Sequence, residues 1–325
     1  MEFSLEIEPK KAFVTGTNPT NFLTTSKHGI FAKFHLLTPS TEMGQSDLLI
    51  VVDANRDSLK AIKRLKLRPE HCVLIRNEPA VVCPLNYAPE TVELFSKVID
   101  IGRSLPDSTL SVPCPQTWPE DESFQWRGEV TRSEKPVLMN ANKLSFIRGE
   151  LYSLRRLIIH RFDIDLYGPR WGSSLLARLK TTIGELAIFL NSDLERSKIA
   201  LRYWWSHHPN YKGISADKYE TYRKYKIAIA LENSPDYMSE KLIDALLAGC
   251  VPIYCGPDVS EYGIPQELVI SCTPDLEGVQ NGLEQAEKID YPQWQSKTRE
   301  YLIQTTTKRY WSPERIYLCI AEHIF

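Results

Sequence analysis

Apolar residues in this chain gather in short unbroken runs with almost no polar interruption, the pattern of strands covered on both faces rather than of alternating, half-exposed ones. In the amino-terminal part the runs are Ala12 to Thr15, Ile30 to Leu37, Leu48 to Val52, Cys72 to Ile75 and Val98 to Ile101. Between the third and fourth, Ser58 to Leu67 carries basic residues at helical spacing, so strand, helix and strand follow one another as in a small α/β domain. From Leu105 to Pro136 the character changes: prolines at 106, 113, 115, 119 and 136 and a run of Asp, Glu, Ser and Thr predict a long irregular connection. A domain join is expected there, giving an amino-terminal domain over 1–135, with the connection at about 105–135, and a second domain over 136–325.

The second half restarts with a predicted strand at Pro136 to Asn140, a helix from about Phe146 to Arg161 and a strand from Phe162 to Tyr167. A second helical segment follows, then Ile227 to Leu231, another apolar run without alternation. Ser239 is placed to cap the next helix and Gly249 to end it, with a further strand from Val251. A strand at Leu268 to Cys272 and helices near Leu276 to Lys288 and Gln293 to Thr306 come next. Pro313, at a first helical turn, opens a closing helix with apolar Ile316, Leu318, Ile320 and Ile324.

The polar residues of the unit Lys226 to Asp258 crowd into the turn after its first strand. Glu232, Asn233, Tyr237, Glu240 and Lys241 therefore surround a helix N-terminus at the carboxyl end of a strand, where open α/β sheets bind ligands and where a phosphate is favoured. A nucleotide is the first ligand to consider. A solvent-facing first turn bearing a Glu and a Lys is the plainer reading of the same residues.

Leu231-Glu-Asn-Ser, then Asp236-Tyr-Met-Ser-Glu-Lys, Ala248-Gly-Cys-Val-Pro-Ile and Gly256-Pro closely resemble, in order, the motif of the family 10 glycosyltransferases, the α1,3/α1,4-fucosyltransferases. Leu231 stands where the family usually has an aromatic residue, Ser239 where it has threonine, and the spacer after Ser234 is short. The resemblance implies a GT-B-like α/β fold, two Rossmann-like domains facing a central cleft, which the two halves and terminal helix also suit. It further implies an inverting transfer of fucose from GDP-fucose to a hydroxyl of a glycan acceptor.

Composition narrows the setting. With 325 residues, 25% charged, 42% hydrophobic and net charge −2, the chain can build two cores and offers no basic surface for nucleic acid. Apolar stretches are broken well short of the roughly 20 residues of a membrane span, and Met1-Glu-Phe-Ser-Leu-Glu lacks a basic, then apolar, leader pattern, so a cytoplasmic protein is expected. Seven scattered cysteines read as buried reduced thiols. His207-His208 has no further ligand at metal spacing, and Asp163-Ile-Asp165 lies within an apolar strand pattern, so no obligatory metal or other cofactor is expected.

Transfer from a nucleotide sugar needs a base on the attacking hydroxyl, cationic help for the departing diphosphate and a polar pocket for the sugar. Lys241 suits the second demand. Glu240, with Glu232 or Asn233, suits the third, and Tyr237 would stack on or hydrogen-bond the donor. The family's base is a strand-end glutamate of the amino-terminal domain, which here points to Glu78, after Cys72-Val-Leu-Ile-Arg-Asn. On the same resemblance Asn140 and Arg148 would reach the donor's phosphate or nucleoside, although basic residues on a helix (Arg148, Arg155, Arg156, Arg161) otherwise describe a solvated face. The aromatic segment Ala200 to Lys212 would either stack on guanine and supply Arg202 or Lys212, or simply pack Trp204 and Trp205 beneath a loop. Two alternatives remain: a GT-B transferase with another nucleotide sugar, and a non-catalytic nucleotide- or glycan-binding protein.

Overall fold

The computed structural model describes residues 11–17, 34–44, 47–103, 110–118, 131–172 and 210–324, together with positions 179, 204 and 208. Two compact units divide the chain, 1–117 with 309–325, and 118–308. The sequence placed the join near 135/136 and assigned the whole C-terminus to the second unit. Instead the last 17 residues (309–325) belong with the first unit.

The first unit is built on one parallel sheet of strands β1 (Ala12–Gly16), β2 (Phe34–Leu36), β3 (Leu48–Val52), β4 (Cys72–Arg76), β5 (Lys97–Ile101) and β6 (Leu110–Val112), in the order β2-β1-β3-β4-β5-β6. Helix α1 (Arg56–Leu65) follows β3 and begins with a capping box in which Asn55 and Ser58 satisfy each other's backbone N–H groups. The unbroken apolar runs are explained by burial on both sides. Phe13, Leu49, Val51, Cys72, Leu74 and Val98 face Ile62 of α1 and Phe95. The alternate residues Ala12, Val14, Ile50, Val52, Val73, Ile75, Ile99 and Ile101 face Ile316, Ile320, Ala321 and Ile324. Those last four lie on a closing helix (Pro313–Ile324), as the sequence led one to expect, and its apolar stripe completes the first unit's core.

That packing carries a prediction. Ile320 is fully buried against the sheet, so Ile320→Ala is expected to destabilise the first unit by about 3 kcal/mol through lost burial and the cavity left behind. Denaturant unfolding monitored in that unit measures it, and a loss below about 1 kcal/mol would mean that the helix is not part of the core.

The second unit repeats the plan with a parallel sheet of β7 (Val137–Met139), β8 (Asp165–Tyr167), β9 (Ile227–Leu231), β10 (Val251–Cys255) and β11 (Ile270–Ser271), ordered β11-β10-β9-β7-β8. Counted within each unit, the first sheet runs 2-1-3-4-5-6 and the second 2-1-3-4-5, doubly wound orders whose direction reverses between the first and third strands. The chain is thus a pair of Rossmann-like α/β units. Helix α2 (Tyr152–Arg161) follows β7, and α3 (Lys241–Leu247) links β9 to β10. Gly249 ends α3 as expected: with φ 74 it lets its own N–H reach the carbonyl of Leu246, and the N–H of Cys250 that of Ala245, which is a Schellman closure.

Several boundaries differ from the sequence reading. β6 lies in what read as irregular connection, and the last strand is only two residues long. Helix α2 starts at Tyr152 rather than Phe146, leaving Arg148 in a turn. Ser239 is not the cap of α3; Glu240 holds that position in helical conformation, without a side-chain cap. All seven cysteines are free thiols, and burial pushes Cys72 and Cys250 up to about 12, which makes them unreactive packing residues.

Candidate functional site

In a doubly wound sheet the crevice opens at the carboxyl ends of the strands where the order reverses. In the second unit that point lies between β7 and β9, and the residues delivered there are Asn140 and the segment Glu232 to Lys241. Asn140 Nδ2 donates to the carbonyl of Leu231 (3.2 Å), so the ends of both strands are tied together. Gly168 fixes Asn140 from the other side. Its φ is 134, and a Cβ there would stand 2.2 Å from the Asn140 carbonyl oxygen, so only glycine allows the approach.

Glu232 is fully buried, and both its oxygens are occupied. Oε1 accepts from the Ser239 backbone N–H (2.9 Å) and the Tyr254 hydroxyl (3.5 Å); Oε2 accepts from the Ser239 hydroxyl (2.6 Å) and the Lys241 ammonium (3.3 Å). The sequence offered Glu232 as a partner for sugar hydroxyls. Geometry makes it instead the clamp that folds the Asn233 to Glu240 loop back onto the strand. Lys241 also donates to Ser239 Oγ (2.6 Å), which leaves its ammonium largely buried and held in place.

Glu240 keeps 44% of its side chain exposed, with Lys218 at 3.7 Å. Burial opposes its ionisation, but Lys241 and Lys218 outweigh burial and hold it down to about 2. A depressed carboxylate stabilises the fold above its ordinary value of 4.5 and loses that contribution as pH falls toward 2. Glu240 is therefore an acceptor at any physiological pH. Tyr237 is buried in the loop.

Three polar atoms at this spot lack partners among the described residues. Asn140 Oδ1 and Ser234 Oγ are buried and unpaired. Asn233 accepts through Oδ1 from Arg155 (2.8 Å) and through its carbonyl from the Leu151 N–H (3.0 Å), while its Nδ2 donates to nothing described. Buried polar groups are nearly always paired, so the two buried, unpaired atoms, Asn140 Oδ1 and Ser234 Oγ, mark where a ligand's polar atoms could be met.

Arg155 was not among the site residues expected from the sequence. It and Arg156 are buried, so the solvated-face reading fails for these two, while Arg148 and Arg161 are exposed. Arg156 lies over the ring of Trp204 (5.1 Å), itself buried beside Leu144 and Phe146, in keeping with the packing role considered for that tryptophan. Arg202, Trp205 and His207 lie outside the described residues.

Lys212 is not drawn into the cluster. Lys212 adjoins Tyr211, which bridges to the outer side of β8, three strand spacings or about 14 Å from β9. Its ammonium lies 3.7 Å from Asp165. Arg148 is exposed in the turn before α2. The Asp163/Asp165 pair is engaged by Lys135 at 2.6 and 3.1 Å.

In the first unit Glu78 follows β4, half-buried, at the carboxyl end of the sheet. Its backbone is pinned by Asp53, the first residue after β3, whose Oδ1 accepts from the N–H groups of Asn77 (2.9 Å) and Glu78 (3.0 Å) and from Asn86 Nδ2 (2.7 Å). The Glu78 carbonyl accepts from the Tyr87 hydroxyl (3.1 Å). Asp53 adopts a left-handed backbone (φ 52), a costly conformation for a non-glycine residue. Burial raises its pKa, and the Asn86, Glu78 and Asn77 hydrogen bonds offset part of the rise.

Comparison with known proteins supports the family resemblance. Residues 193–311 match the model of the glycosyltransferase family 10 (fucosyltransferase) C-terminal region. A putative fucosyltransferase-like protein of Arabidopsis thaliana is 33% identical over 91 residues, 26% of this chain and 18% of that protein, so the match spans under a fifth of that relative. Among solved structures, an α1,3-fucosyltransferase with GDP covers all of this chain and 93% of its own at 10% identity, with a TM-score of 0.55. Anabaena Alr3699/HepE in complex with UDP and glucose covers 97% of this chain and 99% of its own at 13% identity, again with a TM-score of 0.55. These likenesses establish the GT-B fold class.

Proposed function

We propose, from the premise that residues 193–311 belong to glycosyltransferase family 10, that the protein is an inverting fucosyltransferase moving fucose from GDP-fucose to a hydroxyl of a glycan acceptor. The observation that carries the reading is the pair of buried, unpaired polar atoms on Asn140 and Ser234 at the reversal point of the second sheet, on the segments that also deliver Asn233 and the Lys241 ammonium. In this reading Lys241 meets the diphosphate and neutralises the charge that builds as GDP departs. Glu240, ionised and partly exposed, accepts hydrogen bonds from sugar hydroxyls, and Asn140, Asn233 and Tyr237 complete the donor pocket. Arg148, exposed and close in sequence to α2, would serve the nucleotide from the turn before that helix, and Lys212 would need to act from the far edge of the sheet. Glu78 takes the acceptor proton while the oxygen attacks the anomeric carbon from the face opposite GDP, which inverts its configuration.

The resemblance to HepE, a protein solved with UDP and glucose, favours a second reading in which the donor is a UDP-sugar. Release of nucleoside diphosphate from GDP-fucose, UDP-glucose and UDP-galactose separates the two. GDP-fucose is expected to be consumed well ahead of the others, at a rate that EDTA leaves unchanged. Consumption of a UDP-sugar with GDP-fucose left intact would overturn the assignment of the donor.

A further inference from the structure

Arg155 is the least expected group in the second unit. A guanidinium is costly to bury without a counter-ion, and among the described residues no carboxylate pairs with it directly. Its hydrogen bonds run to neutral acceptors on two segments: Nη1 to the carbonyl of Ala141 (3.3 Å), and Nη2 to the carbonyls of Leu231 (3.4 Å) and Glu232 (3.0 Å) and to Asn233 Oδ1 (2.8 Å). The plane of Tyr152 backs it at 4.6 Å. All these acceptors follow β7 or end β9, the two strands flanking the crevice. A rigid fork with several fixed donors suits such a task better than a lysine would.

The contact with Asn233 decides more than packing. Arginine only donates, so the asparagine atom facing it must be the oxygen, and the amide nitrogen is turned the other way. We propose that Arg155 is a positioning residue that locks the end of β9 and orients the Asn233 amide, so that Asn233 presents N–H groups and meets an acceptor oxygen of the nucleotide sugar. The inference rests on the proposed donor site but not on which nucleotide sugar fills it.

The test is a double-mutant cycle on donor affinity, measured by calorimetry on the full chain with GDP-fucose, alongside melting temperatures. Arg155→Lys is expected to weaken binding about tenfold in the wild-type background and less than about twofold when Asn233 is already alanine. Equal losses in both backgrounds, or no loss in the first, would overturn the proposal. Should Arg155→Lys prevent folding, Asn233→Asp decides. Aspartate keeps an oxygen toward Arg155 but offers no donor, so the variant is expected to melt no lower than wild type and to bind at least about tenfold more weakly. Wild-type affinity in that variant would reject the assigned amide orientation. If the wild type ignores GDP-fucose and binds a UDP-sugar, the donor assignment fails alone, and the same cycle is run with that UDP-sugar.

Discussion

Lys241→Ala is expected to lower kcat/KM for GDP-fucose by a factor of about 100 to 1,000, the range seen when one preorganised group is removed from developing negative charge. The size of the effect follows from how Lys241 is held. Its ammonium is fixed by Ser239 Oγ and Glu232 Oε2 and only 13% of its side chain is exposed, so its charge is placed before the donor arrives and is poorly screened by water. The same substitution strips the buried Glu232 of its cationic partner Lys241, so the melting temperature should also fall. GDP release and thermal unfolding, measured together at a temperature where the variant stays folded, keep the two consequences apart. Turnover within about threefold of wild type in the folded variant would mean that the phosphates lie elsewhere.

The second large effect is expected at Glu78. Glu78→Gln preserves the backbone hydrogen bonds to Asp53 and from Tyr87, because those run through main-chain atoms, and removes the capacity to take a proton. Transfer to an acceptor should fall by about 100 to 10,000, the usual contribution of a positioned base, while the dissociation constant for GDP-fucose stays within about twofold. A variant that transfers at the wild-type rate would remove Glu78 from the chemistry. One that loses donor affinity instead would place Glu78 on the nucleotide sugar rather than on the acceptor.

What could be read from the sequence was what depends on neighbours in the chain. β9 and β10 are apolar on both faces and therefore stand out as unbroken runs, and Gly249 is visible as a stop because its left-handed turn needs no distant partner. β6 escaped notice because a three-residue edge strand in proline-rich surroundings pairs through its backbone with β5, a contact no local pattern encodes. The task of Glu232 was hidden for a related reason. Nothing in Glu-Asn-Ser tells whether the carboxylate faces the crevice or folds back on Ser239 and Lys241, since the choice depends on how the intervening loop closes. Arg155 and Arg156 show the same limit more sharply. A basic stretch of helix suggests water, but these two cations are buried because carbonyls, Asn233, Asn142 and the ring of Trp204, all from other segments, receive them.

The closing helix has a consequence for how the protein is made. One face of the first sheet is sealed by Ile316, Ile320, Ala321 and Ile324, yet residues 118–308 must leave the ribosome before they do. At about 5 to 20 residues per second, that face stays bare on the nascent chain for roughly 10 to 40 seconds. The second unit, contiguous in sequence, can mature during translation, whereas the first must wait for the codons of residues 313–324, and a stop before them would release it with Ile50, Val73, Ile75 and Ile99 open to aggregation.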